Sequence, residues 1–276
     1  MSDLDAIADA LSTLPAGSPF RELIPLYASP DDATRREGSA LLVKLGLRGL
    51  HRPPPQDEAT ALGILRAVRL LPDPPEPPRV SDLVRTLLGT AHPSLVGPIR
   101  ELYDAASDPL RLSFLTLLAV QGTADGARAL VVLVEAHGWP GLSPQLRDEL
   151  VRFDLPHGSI LFPRLLELDG WERPELQAVL VEMLDHGSVM PADIAHTTLA
   201  RTLPQRIDEL VVARVSERVD RDYVDRILAL QLDLAGWVGP PEVLPKLRSC
   251  AGSSSEHVAR YAREALQRRG ASVLVE

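Results

Sequence analysis

The sequence has few of the residues on which many common functions depend. Its one cysteine, Cys250, excludes an intramolecular disulfide and a metal site built from several cysteines. Aromatic residues make up only 4% of the chain, which suits helix-on-helix packing better than a β-sandwich. No apolar run reaches the ~18 residues of a membrane span, and the acidic N-terminal stretch lacks the features of a signal peptide. We therefore expect a cytoplasmic protein without a membrane segment.

Positive charge is also scarce. The net charge is −9 at pH 7, and Lys44 and Lys246 are the only lysines among basic residues that are otherwise arginine. An acidic protein repels a phosphate backbone at long range, which argues against non-specific nucleic-acid binding. The charge balance favours a basic partner, although it allows a local arginine stripe.

One template recurs along the chain: a helix with a proline, an acidic N-cap, and a second helix that ends near a glycine. In the central copy, residues 95–122, apolar residues have helical spacing and Pro98 lies in the first turn. Asp108 stands where an N-cap is favoured, Pro109 follows it, and Gly122 is a C-cap candidate. The other copies hold corresponding residues: Pro25, Asp32 and Gly46; Pro163, Arg173 and Gly187; Pro245, Glu256 and Gly270. Weaker copies between them would give a mean unit of roughly 35 to 40 residues.

These copies resemble HEAT repeats and their armadillo-like relatives. That family places an Asp and an Arg near the turn between its two helices. The matching pairs here are Asp32 with Arg35 or Arg36, Asp108 with Arg111, and Glu256 with Arg260. The copy at 163–187 lacks such a pair, and its cap is either Glu172 or lost.

The resemblance implies an all-α fold, a right-handed α-solenoid of about eight helical hairpins over residues 1–276. Residues 3–14 read as a short capping helix, with Leu4, Ile7, Ala8, Leu11 and Leu14 on its apolar face. The proline-rich segment 72–78 cannot be helical and marks a soft break. We interpret it as a stiff loop before a helix that begins near Ser81; the alternative is a polyproline ligand for a partner.

Tryptophans that follow glycines provide a second, independent marker at Trp139, Trp171 and Trp237. Their separations of 32 and 66 residues predict a repeat of about 33 residues, with another helix starting at Pro204. We expect each tryptophan to pack over the turn after a helix that ends at the glycine. The alternative is an exposed aromatic row that binds a ligand.

Catalytic motifs are not apparent in the sequence. His137, His157 and His186 each precede a glycine, which is typical of the last turn of a helix. No histidine is followed by glutamate, which excludes the HEAT-type iron enzyme that hydroxylates a modified lysine with paired His-Glu steps. Cys250 has no evident histidine partner and is interpreted as a packing residue. We expect no catalytic, cofactor or metal site.

Two other HEAT-like classes remain as alternatives. Alkylpurine DNA glycosylases grip DNA with a basic concave face and aromatic residues. The corresponding residues here would be Arg260, Arg263, Arg268 and Arg269, with Trp171 or Trp237 stacked on a base. Phycobilin lyases are the other class, since the segment EHVARYA near the C-terminus resembles one of their repeat units.

The second helices of the middle copies are apolar on more than one face. In a HEAT-like solenoid, second helices line the concave surface. Leu112, Leu115 and Leu180 are therefore either buried against neighbouring helices or form the apolar floor of a groove. Adding the charged positions gives a candidate partner-binding set: Arg36, Leu112, Leu115, Leu180, Arg260 and Arg263.

The sequence thus predicts a non-catalytic scaffold that binds a protein or peptide on a concave groove with an apolar centre and a charged rim. The alternative, from a different class, is a HEAT-like DNA-binding protein or alkylpurine DNA glycosylase. A contiguous arginine stripe with an acidic residue at its centre would favour that alternative.

Overall fold

The structure, a computed structural model, describes residues 3–50, 52–74, 77–153, 155–165, 173–216 and 220–270. Within these ranges the chain is all-helical, with no β-strand. Among the same residues, no helix is both long and apolar enough to cross a bilayer. The chain divides into two compact units, Met1–Glu149 and Leu150–Glu276, and the loop 72–78 lies within the first.

The first unit contains eight complete α-helices and two short 3-10 helices. These helices are α1 (Asp3–Ser12), α2 (Phe20–Tyr27), α3 (Asp32–Lys44), α4 (Glu58–Val68), α5 (Val80–Val84), α6 (Val96–Tyr103), α7 (Asp108–Val120) and α8 (Ala124–His137), with 3-10 turns at Arg85–Leu87 and Pro93–Leu95. Helix α9 (Pro144–Val151) begins in this unit.

The second unit contains the remaining helices. They are α10 (Leu155–Leu165), α11 (Pro174–His186), α12 (Pro191–Ile194), α13 (Thr198–Ala213), α14 (Arg221–Val238), α15 (Val243–Ala251) and α16 (Glu256–Arg268). The template prolines Pro25, Pro98, Pro163 and Pro245 all lie inside first helices, as predicted.

The predicted N-caps are wrong by one residue. The caps are Asp31, Ser107 and Ser255, and the predicted acidic residues occupy the first helical position instead. The Asp31 carboxylate accepts a hydrogen bond of 2.9 Å from the Thr34 amide. An acidic residue in the first turn still interacts favourably with the helix dipole. The template therefore predicts the position of the negative charge correctly, but it predicts the N-cap one residue too late.

Two arginines stabilise the turns of the α2–α3 and α6–α7 hairpins. Arg111 Nη1 lies 3.6 Å from the Asp108 carboxylate, and its Nη2 donates to the Asp104 carbonyl at 3.1 Å. Arg35 pairs with Asp32 and also donates to carbonyls of the loop before α3. Arg111 thus satisfies carbonyls at the end of the preceding helix, which lack a partner within it, and Arg35 satisfies carbonyls of the loop between the two helices.

The last copy departs from this arrangement. Glu256 pairs with Arg263 at 2.6 Å rather than with Arg260, which instead lies 3.9 Å from Glu264. For the third copy, Arg173 caps α11 without a side-chain hydrogen bond, as expected for a lost cap; Glu172 lies outside the described residues.

Helix α1 packs on α2 and α4, largely through the predicted face. Ile7, Ala10 and Leu14 are buried, whereas Ala8 is exposed. At about 100° per residue, Ile7, Ala10 and Leu14 lie within about 60° of one another around the helix, and Ala8 falls outside this sector. Leu11 lies at the edge of this face, and the side chain of Leu4 is outside the described part of the chain.

Helix α14 is the centre of the second unit and packs against α11, α12, α13 and α16. Gly236 lies inside α14 and not at its end, so the predicted turn after this glycine is wrong. The glycine faces α16 instead of ending its own helix. Trp237 accordingly belongs to the last turn of α14, while Trp171 falls outside the described residues.

Two further predicted boundaries are wrong in this unit. Pro204 lies in the middle of α13 and does not begin a helix. His157 and Gly158 lie near the start of α10 rather than at a helix end. A glycine is required at position 158, because a β-carbon on Gly158 would lie 2.0 Å from the Ser188 carbonyl oxygen. By contrast, His137 and His186 end their helices beside glycines with positive φ, as predicted.

Candidate functional site

A pocket of about 220 Å³ opens in the first unit beside the outer face of α7. Segments far apart in the sequence form its wall. Its residues are Arg48, Pro77, Arg79, Ser81, Asp82, Arg85, Leu88, Pro109, Leu112, Ser113, Thr116, Ser143 and Gln145. We call it the α7 pocket.

Local structure places the three arginines at the rim of the α7 pocket. Arg48 follows the glycine turn that ends α3, where the Leu47 and Arg48 amides both donate to the Leu42 carbonyl. Arg79 is the N-cap residue of α5, and Arg85 begins the 3-10 turn that continues α5. Three separate backbone positions therefore direct positive charge to one pocket.

One carboxylate, that of Asp82, lies among these arginines. Arg48 Nη2 is 3.8 Å from Asp82 Oδ2, and the Arg48 side chain is 41% exposed. This separation is too long for a hydrogen bond, and an ion pair this exposed contributes little to stability. Asp82 is therefore only weakly paired with Arg48 in a pocket that Arg79 and Arg85 also line.

The floor of the α7 pocket is apolar. Leu88 and Leu112 line it together with Pro109, which lies in the first turn of α7. Leu112 is only partly buried, whereas the next leucine, Leu115, is completely buried. The helix thus presents one leucine, Leu112, to the pocket and turns the rest of its leucines into the core.

Hydroxyl groups complete the wall of the pocket. Thr116 Oγ1 donates to the Leu112 carbonyl at 2.8 Å, and Ser113 Oγ donates to the Pro109 carbonyl at 3.2 Å. Ser143 accepts from the Leu146 amide at 3.0 Å and so caps α9. Each hydroxyl is fixed in place and still has acceptor capacity.

The three predicted partner-binding leucines differ in burial. Leu112 lines the α7 pocket, in agreement with the groove-floor interpretation. Leu115 and Leu180 are each 0% exposed, which agrees with the other interpretation, burial against neighbouring helices. These two side chains form core and offer no surface to a partner.

The predicted arginines are on the surface. Arg36 is exposed on α3 and does not line the α7 pocket. In the second unit, Arg260 lies over the Tyr261 ring at 4.9 Å, and Arg263 is held by Glu256. Both are therefore engaged within their own helix.

A second, more open groove lies in the second unit at the end of α14. The Arg268 guanidinium covers the Trp237 ring at 5.0 Å and pairs with Asp233. Arg269 donates to the carbonyls of Ala235 and Gly239 at 2.7 and 2.6 Å. The groove's two arginines and its tryptophan ring thus already contact one another or the end of α14.

Buried ionisable groups in this unit are paired. Burial raises the pKa of Asp233, and the hydrogen bond from Arg268 opposes that rise. Burial acts on Asp225 in the same direction, but hydrogen bonds from Ser255 and Arg214 outweigh it, so that its pKa is lowered. These interactions stabilise the helix contacts and give neither carboxylate an exposed reactive position.

Cys250 is buried, and burial raises the pKa of its thiol. This is opposite to the shift that activates a nucleophilic cysteine. Within the described ranges, no group of three or more His, Cys, Asp or Glu side chains could hold a metal ion.

Sequence reasoning missed the three arginines of the α7 pocket. Arg48, Arg79 and Arg85 belong to no repeat position, and the middle one follows the proline-rich loop directly. The nearest signal was the position of Arg79 and Arg85 on either side of a short apolar helix. Nothing local indicated that Arg48 would join them.

Comparison of the chain with protein-family models, with curated proteins and with solved structures gave no match.

Proposed function

We propose that this protein is a non-catalytic scaffold that binds a segment of a partner protein in the α7 pocket. Its helical hairpins would be HEAT-like repeats of a right-handed α-solenoid, about eight in all. Support for the repeats comes from α2–α3 and α6–α7, where an arginine at the same position pairs with the aspartate three residues before it and donates to carbonyls between or at the end of the helices. The cytoplasmic location expected from the sequence belongs to this proposal.

The observation that carries the proposal is the composition of the α7 pocket. It joins an apolar floor, Leu88, Pro109 and Leu112, to a charged rim. Apolar contact supplies affinity to an inserted side chain, and charged groups at the rim select the partner and orient it. A partner segment with one apolar side chain and neighbouring negative charge would fit both parts.

The net acidity of the chain favours a basic partner in general. At this pocket, however, the local charge determines which sign of charge the bound group should carry. Electrostatic interactions beyond a Debye length of about 8–10 Å are largely screened at physiological salt. Groups inserted beside Arg48 and Arg85 would therefore respond mainly to those arginines. For the α7 pocket we accordingly propose an acidic segment.

Nucleic acid is the second candidate ligand, because three arginines and Asp82 line the same pocket. This arrangement has the arginines and the central acidic residue expected for the glycosylase class. Against it, a bound strand would extend beyond the pocket over a surface with an overall negative charge, −9 for the whole chain. We therefore rank it second.

The test is affinity capture from the native lysate with three proteins: the wild type, Leu112→Gln and Val132→Gln. Leu112 lines the pocket, whereas Val132 is an exposed residue of α8 that does not. Both substitutions replace a surface-accessible apolar side chain with glutamine on a helix. Each capture is run with and without nuclease, and circular dichroism confirms that each variant is folded.

We expect one protein to be recovered in stoichiometric amount by the wild type and by Val132→Gln, with or without nuclease. Leu112→Gln should lose most of it. Recovery of nucleic acid that disappears on nuclease treatment would support the second candidate. A protein partner retained equally by all three proteins would place its binding site elsewhere and would rule out the α7 pocket.

A further inference from the structure

We propose that residues 43–50, the turn at the end of α3, bind the surface of a bilayer that contains anionic lipids. We call these residues the α3 turn. The inference goes beyond the proposed function, because it concerns a different class of partner. It involves the headgroup layer only, since the α3 turn is far shorter than the ~20 residues that cross a bilayer. Three features point to this partner: exposed apolar side chains, positive charge, and a shape that projects instead of forming a groove.

The α3 turn exposes several large apolar side chains to water. Val43 is 56% exposed, Leu45 is 41% exposed and Leu50 is 45% exposed. Helix α3 packs on α2 through a different face, which buries Leu42. Apolar residues that are exposed singly are ordinary on a protein surface, but a group of them within one short segment indicates a contact surface.

The backbone of the α3 turn is ordered and projects from the end of its helix. Gly46 has a φ of +68°, and the amides of Leu47 and Arg48 then donate to the Leu42 carbonyl at 3.0 and 3.3 Å. A β-carbon on Gly46 or on Gly49 would meet nothing within 4 Å. The hydrogen bonds therefore fix the shape of the turn, and both glycines face open space.

Positive charge accompanies these apolar side chains. Residues 38–56 contain no aspartate or glutamate, although the whole chain has a net charge of −9. Lys44 is exposed, and its ammonium has no ion pair or hydrogen bond among the described residues. Arg48 makes only the loose 3.8 Å contact with Asp82. Glu37, the last acidic residue before the turn, lies about 10 Å from Lys44 along the helix.

This combination suits the interface of a bilayer. Apolar side chains enter the boundary between headgroups and acyl chains, while lysine and arginine side chains extend to the headgroups. Each basic residue near an anionic surface strengthens binding about fivefold. The negative charge of the rest of the chain opposes the approach, but at physiological salt this repulsion is largely screened beyond a Debye length of about 8–10 Å.

The shape of the α3 turn favours a bilayer over a peptide segment. A peptide buries its apolar side chains in a groove or pocket that has walls, and Val43, Leu45 and Leu50 do not line the α7 pocket. A bilayer needs no such walls, because lipid surrounds a projecting turn. With so few apolar side chains, we expect reversible binding with a partition constant on the order of 10³–10⁴ M⁻¹, comparable to that of a single myristoyl chain.

The experiment measures sedimentation of full-length protein with sucrose-loaded vesicles of two compositions. One is phosphatidylcholine alone, and the other contains about one-third phosphatidylserine. We expect binding to the anionic vesicles at millimolar lipid, and binding at least about tenfold weaker to the neutral ones. Salt at about 1 M should remove most of this difference, because the Debye length falls to about 3 Å.

Two matched pairs of variants assign the binding to the α3 turn. Leu50→Gln and Val132→Gln each replace an apolar side chain that is 45% exposed, but Val132 lies on α8. Lys44→Gln and Arg66→Gln each remove a cation from the last turn of a helix, α3 and α4 respectively. Both variants of the α3 turn should weaken binding to anionic vesicles about fivefold, and both controls should preserve it. Circular dichroism verifies that each variant is folded.

Four results would overturn the proposal. Absence of sedimentation with both kinds of vesicle would exclude a lipid surface as the partner. Binding of neutral and anionic vesicles alike would show that the cations take no part. Equal binding by the wild type, Leu50→Gln and Lys44→Gln would place the lipid contact elsewhere. A protein captured by the wild type and lost on Leu50→Gln, without any vesicle binding, would assign the α3 turn to a protein partner.

Discussion

Gly236 of α14 lies so close to Ala265 of α16 that a β-carbon on Gly236 would be 2.8 Å from the Ala265 Cα. No other side chain allows the two helix backbones to approach to this distance. The contact fixes the main helix pair of the second unit. It also explains why this glycine occurs inside a helix rather than at a helix end.

We predict that Gly236→Ala destabilises the protein by about 1–3 kcal/mol, because backbone atoms of α16 would have to move. The intrinsic helix preference of alanine acts in the opposite direction and is smaller, about 1 kcal/mol. Urea unfolding followed by circular dichroism measures the difference. A variant as stable as the wild type would show that the two helices can separate without loss.

Gly97 of α6 provides the matched control. It is an exposed helical glycine, and a β-carbon there would meet nothing within 4 Å. We predict that Gly97→Ala stabilises the protein by about 0.5–1 kcal/mol, because alanine loses less conformational freedom on folding. Destabilisation by this substitution would contradict the open surroundings of Gly97.

Tyr27 and Tyr103 occupy equivalent positions in the α2–α3 and α6–α7 hairpins, but their hydroxyl groups differ in hydrogen bonding. Tyr27 Oη lies 3.3 Å from the Ser39 hydroxyl. Tyr103 is equally buried, but its hydroxyl has no partner among the described residues. The reason lies in α7, where Leu115 occupies the position that corresponds to Ser39, eight residues after the N-cap.

We predict opposite effects for the two substitutions to phenylalanine. Tyr27→Phe should cost about 1 kcal/mol, because it leaves the buried Ser39 hydroxyl without its partner. Tyr103→Phe should be neutral or stabilising by up to about 1 kcal/mol, because it removes an unpaired buried hydroxyl. Paired urea unfolding curves test this, and equal losses in both variants would refute it.

Burial also raises the pKa of Tyr103 to about 12. Alkaline titration followed by phenolate absorbance should therefore lose one late-titrating group in Tyr103→Phe. An unchanged late phase would assign it to another tyrosine.

The N-cap of α3 gives a prediction about acid sensitivity. The hydrogen bond from the Thr34 hydroxyl to Asp31 is the main cause of the lowered pKa of that carboxyl. A lowered pKa in the folded state means that the stabilisation is present above the unfolded pKa and is lost as pH falls through the folded pKa. Thr34→Ala should therefore raise the Asp31 pKa toward its ordinary value.

Carboxyl-detected NMR titration measures this change. Asp57, which accepts a similar bond from Thr60 at 2.7 Å, serves as the internal control in the same sample. A shift at Asp31 alone is expected. A titration curve for Asp31 that does not move would show that the backbone amide holds the carboxylate without the hydroxyl.

Cys250 should be protected from thiol reagents in the folded state. The side chain is buried between helices of the second unit, and its raised pKa lowers the thiolate fraction at neutral pH. We expect an aromatic disulfide reagent to modify no thiol in native protein and one thiol per chain in urea. Rapid modification of native protein would contradict this burial.

Local patterns in the sequence determined several of the helices. Leucine spacing, prolines within first helices and glycines after last turns predicted α2, α3, α6 and α7 to within a few residues, because these signals act between residues close in the chain. The errors of one residue at the caps have a local cause as well. In a run such as Asp31-Asp32 or Ser107-Asp108, either side chain is a good cap, and the sequence alone does not select one.

The tertiary structure decided what the local signals left open. The sequence could not distinguish a glycine that ends a helix from Gly158 or Gly236, which occur inside helices because another backbone approaches them. It could not decide between core and groove for the leucines of α7, since both make one helix face apolar. Packing buried Leu115 and left Leu112 at a pocket.

The candidate site also depends partly on local sequence and partly on tertiary packing. The sequence identified α7 as a candidate wall of a groove, because apolar residues occupy more than one face of this helix. The meeting of Arg48 with Arg79 and Arg85 beside that wall depends on how two separate segments of the chain pack. Contacts between residues distant in the chain have no sequence period, so only the folded chain brings these arginines together.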